Sequence, residues 1–544
     1  MDMATWRHRW GDPGTWRRLA PWLVVLVFAA WGYRSVLPPD PQGSDAPEDS
    51  FSATRALEHV RTIADKPHPM GSTAIADVRS YIVAQLNQLG MNVDLQTSTA
   101  RDFFGNAGSV EIVNIVAAIP GTDSTKAVAF LAHYDTVPAT PGANDNTAAV
   151  AALIETGRAL MAGPALRNDV LLVFTDAEEP EGRAGATAFA NGHPLMQTIG
   201  LAVNLESSGG SGASVLAETN GPQFWIMREL AAADPHPAAF SIITEIARLL
   251  GPIGTDFDVL QDAGVSGFHF AYLHGSPIYH TEADNIDAVN WGSLQHHGQH
   301  VLSIATHFGN LALDSAPPSG DAVFFSIQPL FVIYPTAWVW PITVLVIAVS
   351  ALALLARLRE PGVRPAGMVG ALATTAATGL LVAIAGTIAW LGIVAIRSTP
   401  GVVESYLYFL LLLGLAAGFV ARIARRNPEF GYGILLLWVL LTVLTAWIGP
   451  RFSYAFAWPA LAAAAALLWK PPADWQRLLR LTLVTAPTML LLIPPVDLIF
   501  QFSQPRPGNP GSEVAAVFLV PILLGLLGVG LLRTVWPGAG HRGT

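Results

Sequence analysis

Histidine and acidic residues recur where apolar, strand-like runs end in the middle of this 544-residue sequence. They are His133 with Asp135, Asp145, the adjacent Glu178 and Glu179, Glu206, and His280. Imidazole nitrogens and carboxylate oxygens are ligands for zinc, and manganese or cobalt also accept them. The sequence holds no cysteine, which excludes thiolate metal sites and cysteine nucleophiles. These residues therefore predict a metal site built from histidine and carboxylates.

Each of these residues also has an ordinary structural interpretation. A His-x-Asp triplet is common, Asp145 opens a predicted helix as an N-cap residue would, and the pair Glu178 and Glu179 fits a solvated loop. Two adjacent carboxylates at a buried strand end repel each other, however, unless a positive charge lies between them. Five potential ligands come from four strand-end loops, and a bridging carboxylate with two ligands on each side suits a two-metal centre.

The elements that must position these residues read as alternating strands and helices. Helical stretches such as Thr147–Met161 and Trp291–Leu311 lie between apolar, β-rich runs. The alternation predicts an α/β domain with a mostly parallel sheet flanked by helices. Such sheets place their sites at the carboxyl ends of the strands. The predicted strands are Val110–Ile119, Ala127–Ala132, Val170–Phe174, Leu201–Leu205 and Val265–Phe270.

The charges divide the sequence into two different parts. Residues 37–326 hold 32 acids and 11 bases, a net charge of −21, and the remainder holds 8 acids and 19 bases, a net charge of +11. The acidic part would repel phosphates, which argues against a nucleic-acid partner. The remainder is apolar with basic loops, a pattern typical of membrane segments with cytoplasmic loops.

Eight apolar runs predict membrane spans, because a helix needs about 20 residues to cross a bilayer. The run Leu19–Tyr33 follows four arginines and has no small-x-small cleavage motif after it, which favours an uncleaved anchor over a signal peptide. The later runs are Leu330–Ala356, Ala366–Ile396, Ser405–Ala421, Phe430–Ile448, Phe452–Trp469, Leu481–Phe500 and Val514–Leu532.

Arginines concentrate in alternate loops between these runs, which predicts that both termini are cytoplasmic and that the soluble domain lies outside the cytoplasm. That compartment would be periplasmic in a bacterium and luminal in a eukaryote. The predicted parts are a cytoplasmic N-terminus with an anchor (1–37), a linker (38–50), a soluble domain (51–315), a linker (316–329), a seven-span α-helical membrane domain (330–536) and a cytoplasmic tail (537–544).

The ordered motifs make the sequence similar to a known family. Together with Lys66-Pro67-His68-Pro69-Met70-Gly71-Ser72 and Tyr279-His280-Thr281, they resemble the aminopeptidase Y family of di-zinc exopeptidases, which includes glutamate carboxypeptidase II. The resemblance covers residues 56–311. The anchor and the multispan tail resemble the endoplasmic-reticulum metallopeptidase branch of that family. This implies a membrane-anchored aminopeptidase that acts on peptides with two zinc ions.

The resemblance also implies a role for each residue. His133 and Glu206 would bind one zinc, Glu179 and His280 the other, and Asp145 would bridge them. Asp135 would support His133, and Glu178 would be the general base and acid. Tyr279 would stabilise the oxyanion, and Asp256 would act on the substrate side or as a supporting acid. A cis peptide bond is implied after Asp145.

Several alternatives stay open at the level of sequence. A catalytically inactive receptor or adaptor shares this type of fold, but it would have lost a ligand or Glu178. A glutaminyl cyclase would use a single zinc, and a transport role for the tail lacks an evident pathway. His296, His297, His300 and His307 lie on one predicted helix, where a packed or solvated helix face is the simpler interpretation.

Overall fold

The computed structural model describes residues 13–502 and 504, except 103, 105–107, 180–181, 235, 252, 398–406 and scattered positions between 409 and 425. The described residues form two compact units. An α/β unit consists mainly of Val36–Tyr334, and a helical unit combines the segment up to Ser35 with Pro335–Ser503.

The α/β unit contains an eight-stranded sheet in the order β1-β2-β4-β3-β5-β8-β6-β7. The four central strands, β4, β3, β5 and β8, are parallel, as predicted. The pair β6–β7 is also parallel, whereas β1–β2, β2–β4 and β6–β8 are antiparallel. The sheet is therefore mixed, with four parallel and three antiparallel pairs. The strands are β1 (Asn92–Arg101), β2 (Ser109–Ile119), β3 (Ala127–His133), β4 (Val170–Thr175), β5 (Ile199–Ser207), β6 (Val215–Asn220), β7 (Ala238–Ala239) and β8 (Gly267–Tyr272).

Helices cover both faces of this sheet, and all seven residues of β3 are buried as a result. Phe130 packs into the larger apolar cluster on one face, and its neighbour Leu131 packs into a second cluster on the other. Both predicted helices are present. The helices of the unit are Ala53–Ile63, Thr73–Gln88, Ala149–Ala162, Ala184–Gly192, Gln223–Ala233, Ser241–Leu250, Asp256–Asp262 and Trp291–Phe308.

The two predicted linkers are wrong in part. In segment 38–50, Gln42 and Gly43 accept hydrogen bonds through their backbone carbonyls from the hydroxyl of Ser52, so this segment packs on the α/β unit. Segment 316–329 contains strand β9 (Ala322–Ile327), which pairs with β10 (Leu330–Pro335). The first predicted C-terminal span therefore begins too early, because residues 330–335 are extended.

In the helical unit, four described helices are long and apolar enough to cross a membrane: Thr336–Leu358, Pro365–Gly392, Phe430–Ile448 and Asp474–Phe502. They correspond to four predicted spans. Two other predicted spans form shorter apolar helices, Leu19–Arg34 and Tyr454–Leu468. Predicted span Val514–Leu532 and much of Ser405–Ala421 lie outside the described residues.

Candidate metal centre

His133 is the last residue of β3, and its ring faces two carboxylates. Its Nδ1 lies 3.1 Å from the backbone oxygen of Asp135. A carbonyl can only accept, so Nδ1 carries the hydrogen and Nε2 presents its lone pair. That Nε2 lies 3.4 Å from Oδ1 of Asp145 and 3.4 Å from Oε2 of Glu206. Ligand atoms that bind zinc tetrahedrally at 2.0–2.1 Å lie about 3.3 Å apart, so these spacings fit a zinc ion.

Asp145 lies in a tight turn that the chain enters through Gly142. The φ of Gly142 is +67°, and a Cβ there would lie 2.5 Å from the backbone oxygen of Asp145, so a larger residue would displace the turn. The carboxylate of Asp284 accepts the backbone N–H groups of Asn144 at 2.9 Å and of Asp145 at 3.1 Å. The Asp145–Asn146 bond is cis, which confirms that expectation.

Glu178 and Glu179 follow β4, and the carboxylate of Asp135 fixes their backbone. Its two oxygens accept the N–H of Glu178 at 3.0 Å and the N–H of Glu179 at 3.1 Å. The same carboxylate lies 3.5 Å from Nδ1 of His133, so its short contacts go to the two glutamates. Ala177 has a φ of +58°, a left-handed conformation that a non-glycine residue adopts mainly where its surroundings impose it.

Two ligand sets meet at Asp145, which contributes a different oxygen to each. The first set is His133, Asp145 and Glu206, and the second is Asp145, Glu179 and His280. Nε2 of His280 lies 3.2 Å from Oδ2 of Asp145 and 2.7 Å from Oε1 of Glu179. The structure therefore brings together all five predicted ligands. Glu178 is adjacent, 4.0 Å from Nε2 of His133.

The buried carboxylates of this cluster favour the binding of a positive charge beside them. Burial raises the pKa of Glu178, and burial raises the pKa of Glu179 to about 7. Burial opposes protonation of His280, yet hydrogen bonds to Asp145 and Glu179 raise its pKa to about 10. Oε1 of Glu206 is buried without a hydrogen-bond partner among the described residues. A divalent cation would satisfy these oxygens, and the donor set suits zinc.

Tyr279 and Asp256 border the cluster in different ways. The ring of Tyr279 stacks on His280 with centroids 3.7 Å apart. Asp256 is fully buried and accepts a short hydrogen bond from the hydroxyl of Thr175 at the end of β4. Burial raises the pKa of Asp256 to about 7. Its full burial favours a supporting role for Asp256 over contact with a substrate.

Sequence reasoning missed the role of Asp284. Asp284 is visible in the sequence as an acid four residues after His280. Nothing in the sequence, however, indicates that its carboxylate binds the turn at Asp145, 139 residues earlier. His269 is buried beside Asn204, with 3.1 Å between their side-chain nitrogens, and burial lowers its pKa to about 3. It belongs to neither ligand set.

Part of this chain is similar to a known family. Residues 114–305 match Peptidase family M28. The matched region contains all five predicted ligands. Endoplasmic reticulum metallopeptidase 1 of Mus musculus is 30% identical over 310 residues, which are 53% of this chain and 34% of that protein. A vacuolar membrane protease of Candida dubliniensis is 28% identical over 281 residues, 50% of this chain and 30% of the relative.

This chain thus spans about a third of the length of these relatives. Solved structures are more distant. A Zn-dependent exopeptidase from Parabacteroides distasonis has 19% identity and a TM-score of 0.40, covering 48% of this chain and 99% of that one. A Porphyromonas gingivalis glutaminyl cyclase has 19% identity and a TM-score of 0.39, covering 46% and 96%.

Residues 114–305 are thus similar to M28 peptidases, and four described helices are long and apolar enough to cross a membrane. The metallopeptidase activity, the assignment to the aminopeptidase Y group, the number of zinc ions and the membrane topology stay predictions.

Proposed function

We propose that this protein is a membrane-anchored di-zinc aminopeptidase. The observation that carries the proposal is the shared position of Asp145, whose two oxygens face two separate sets of ligand atoms. His133 and Glu206 would hold one ion, and Glu179 and His280 the other. When bound, zinc supplies Lewis-acid polarisation of the scissile carbonyl and lowers the pKa of the attacking water.

The protein's own residues would move the proton. Glu178 is buried beside both ligand sets and, with His133 and Glu179, forms a further group of possible metal ligands. Its Oε2 lies 4.0 Å from Nε2 of His133, farther than the 3.4 Å of Asp145 and Glu206, so we assign its carboxylate to accepting a proton from the attacking water. The same carboxyl group would then donate that proton to the leaving amine. Tyr279, held by stacking on His280, would donate a hydrogen bond to the developing oxyanion.

An acidic site also favours a particular end of the substrate. The cluster contains four carboxylates, from Asp145, Glu178, Glu179 and Glu206, against two histidines. Two zinc ions would balance these four charges, but residues 37–326 as a whole carry a net charge of −21. This negative charge would attract the free ammonium group of a peptide N-terminus. We therefore infer that the enzyme removes residues from the N-terminus rather than cleaving within a chain.

The proposed topology places the α/β unit outside the cytoplasm, with cytoplasmic termini. Reporter fusions near residue 320 should give periplasmic or luminal signals, and fusions near Arg425 should give cytoplasmic ones. The reverse pattern would contradict the charge argument.

A peptide panel tests the activity itself. The purified full chain would be assayed against peptides with free, acetylated and pyroglutamyl N-termini, with and without a chelator, and bound zinc would be counted. We expect the enzyme to hydrolyse only the peptides with a free N-terminus and to lose this activity when the chelator is added. We also expect two zinc ions per chain. One zinc ion with cyclisation of N-terminal glutamine would indicate a glutaminyl cyclase instead. Absence of any turnover in the zinc-loaded protein would indicate a receptor or adaptor.

A further inference from the structure

Three histidines of the helix Trp291–Phe308 surround one serine at the start of β6. The backbone N–H of Ser214 donates to Nδ1 of His296 at 3.0 Å, and its hydroxyl lies 2.7 Å from Nδ1 of His297. Nε2 of His300 lies 2.9 Å from the Ser214 carbonyl oxygen. The serine and all three imidazoles are buried. Every polar group of Ser214 is therefore held by a histidine of this one helix.

His297 connects this arrangement to the candidate metal centre. Its Nε2 lies 3.1 Å from the backbone oxygen of Glu206, a proposed zinc ligand. A carbonyl only accepts, so Nε2 of His297 carries the hydrogen. In the neutral imidazole, a hydrogen on Nε2 leaves Nδ1 as the acceptor. The Ser214 hydroxyl donates to that atom, and it thereby selects the tautomer that binds Glu206.

A second metal site is the competing interpretation of these histidines. Asp234, His296 and His300 each offer one ligand atom within 4.8 Å of the others. The backbone N–H of Ser214 occupies Nδ1 of His296, however, so Nε2 keeps the hydrogen and has no lone pair for a metal. Nδ1 of His300 lies 2.5 Å from Oδ2 of Asp234 as an ion pair. Two ligand atoms of a tetrahedral zinc ion lie about 3.3 Å apart, so this spacing does not fit a metal ion between them.

We propose that His297 is a positioning residue for the zinc ligand Glu206, an inference that rests on the proposed metal centre. Side chains hold the peptide carbonyls on both sides of the Glu206 Cα. Nδ2 of Asn146 donates to the Leu205 oxygen at 2.8 Å, and His297 donates to the Glu206 oxygen. These bonds fix the backbone from which the Glu206 carboxylate reaches the metal. Some residues hydrogen-bond a metal ligand without binding the metal themselves. Mutation of such residues typically changes metal affinity 10- to 100-fold.

Conservative variants separate positioning from packing. The amide nitrogen of a glutamine reaches about as far as Nε2 of histidine, whereas that of asparagine reaches only as far as Nδ1. His297→Gln should therefore keep the bond to Glu206, and His297→Asn should lose it. Ser214→Ala leaves the ring in place but removes the donor that fixes its tautomer. His307→Gln is the matched control, because His307 lies on the same helix and pairs with Glu229 instead.

The experiment measures zinc affinity of the purified full chain by competition with a chromophoric chelator, and cobalt spectra of the metal-substituted protein. We expect His297→Asn to weaken one of two zinc sites 10- to 100-fold and to change the cobalt spectrum. The zinc affinities of His297→Gln and His307→Gln should stay close to that of wild type. The affinity of Ser214→Ala should fall between those of wild type and His297→Asn. Melting of the chelated protein reports folding.

Several outcomes decide the proposal. Equal zinc affinity in wild type, His297→Asn and His297→Gln would overturn it, and so would equal losses in the two His297 variants. If His297→Asn does not fold, the comparison of Ser214→Ala with His307→Gln decides, and unchanged zinc binding in Ser214→Ala overturns the proposal. Wild-type protein that binds fewer than two zinc ions contradicts the proposed function instead, whatever the variants do.

Discussion

The two adjacent glutamates should respond differently to the same substitution. Glu178→Gln keeps the size of the side chain and leaves its backbone bond to Asp135 intact, but the amide cannot accept a proton. General acid–base catalysis contributes about 10²- to 10⁴-fold, or roughly 3–5 kcal/mol of the barrier. We therefore expect kcat to fall by at least 100-fold while KM and zinc content change little.

The structure also predicts that Glu178→Gln does not weaken the fold. Glu178 is 6% exposed, and burial raises the pKa of its carboxyl, with the charges of Glu179 and Glu206 adding to the effect. The raised pKa favours the neutral acid in the metal-free protein, and glutamine is its uncharged counterpart. The chelated variant should melt no lower than the chelated wild type.

Glu179→Gln should have the opposite profile. Its Oε1 lies 2.7 Å from Nε2 of His280 within the second ligand set, so the amide replaces an anionic ligand. Zinc content should fall from two ions toward one, and excess zinc should partly restore turnover. Metal analysis and peptide turnover on both variants test this. Loss of zinc in Glu178→Gln, or near-normal turnover, would refute the assignment of the base.

Further predictions concern the supports of the site and the fold. Asp284→Ala removes the acceptor of two backbone N–H groups at the bridging turn, so zinc affinity should fall about 10- to 100-fold by chelator competition. Chelation of the wild type should lower Tm by roughly 8 °C or more, if free zinc is 1,000 times Kd beforehand. Burial and the charge of Asp258 raise the pKa of Glu218 from 4.5 to about 8. As pH rises from 4.5 to about 8, Glu218 loses its proton in the unfolded chain but keeps it in the folded protein. The free energy of unfolding therefore falls over this pH range. Glu218→Gln should raise Tm at pH 8.5 and much less at pH 5, and an equal gain at both would contradict this.

The ligands were predictable because their strands are apolar along their whole length. β3 and β4 are fully buried, β3 ends at His133 and β4 ends directly before Asp176, so both the strand and its end are visible in the sequence. Strand β1 was missed because only one of its ten residues is buried, which leaves a polar sequence typical of an exposed edge. That edge strand is one reason why the sheet is mixed.

The supports of the site were less predictable than its ligands. Asp284 and His297 form hydrogen bonds with backbone groups. Any side-chain acceptor or donor of suitable length could form such a bond, so residue type alone does not predict which backbone group is bound. The packed helix face expected for His296, His297 and His300 is correct as far as burial goes. The sequence pattern did not predict their partner, Ser214. Two residues that lie 82 positions apart and meet in the fold leave no periodicity in the sequence.

The order of the ligands along the chain has a consequence for biosynthesis. The first ligand is residue 133, the last is residue 280, and the helix that holds Ser214 ends at Phe308. A nascent chain shorter than this lacks part of the proposed site. The first long apolar C-terminal helix among the described residues begins only at Thr336. The proposed metal site is therefore complete in sequence before these apolar helices are made.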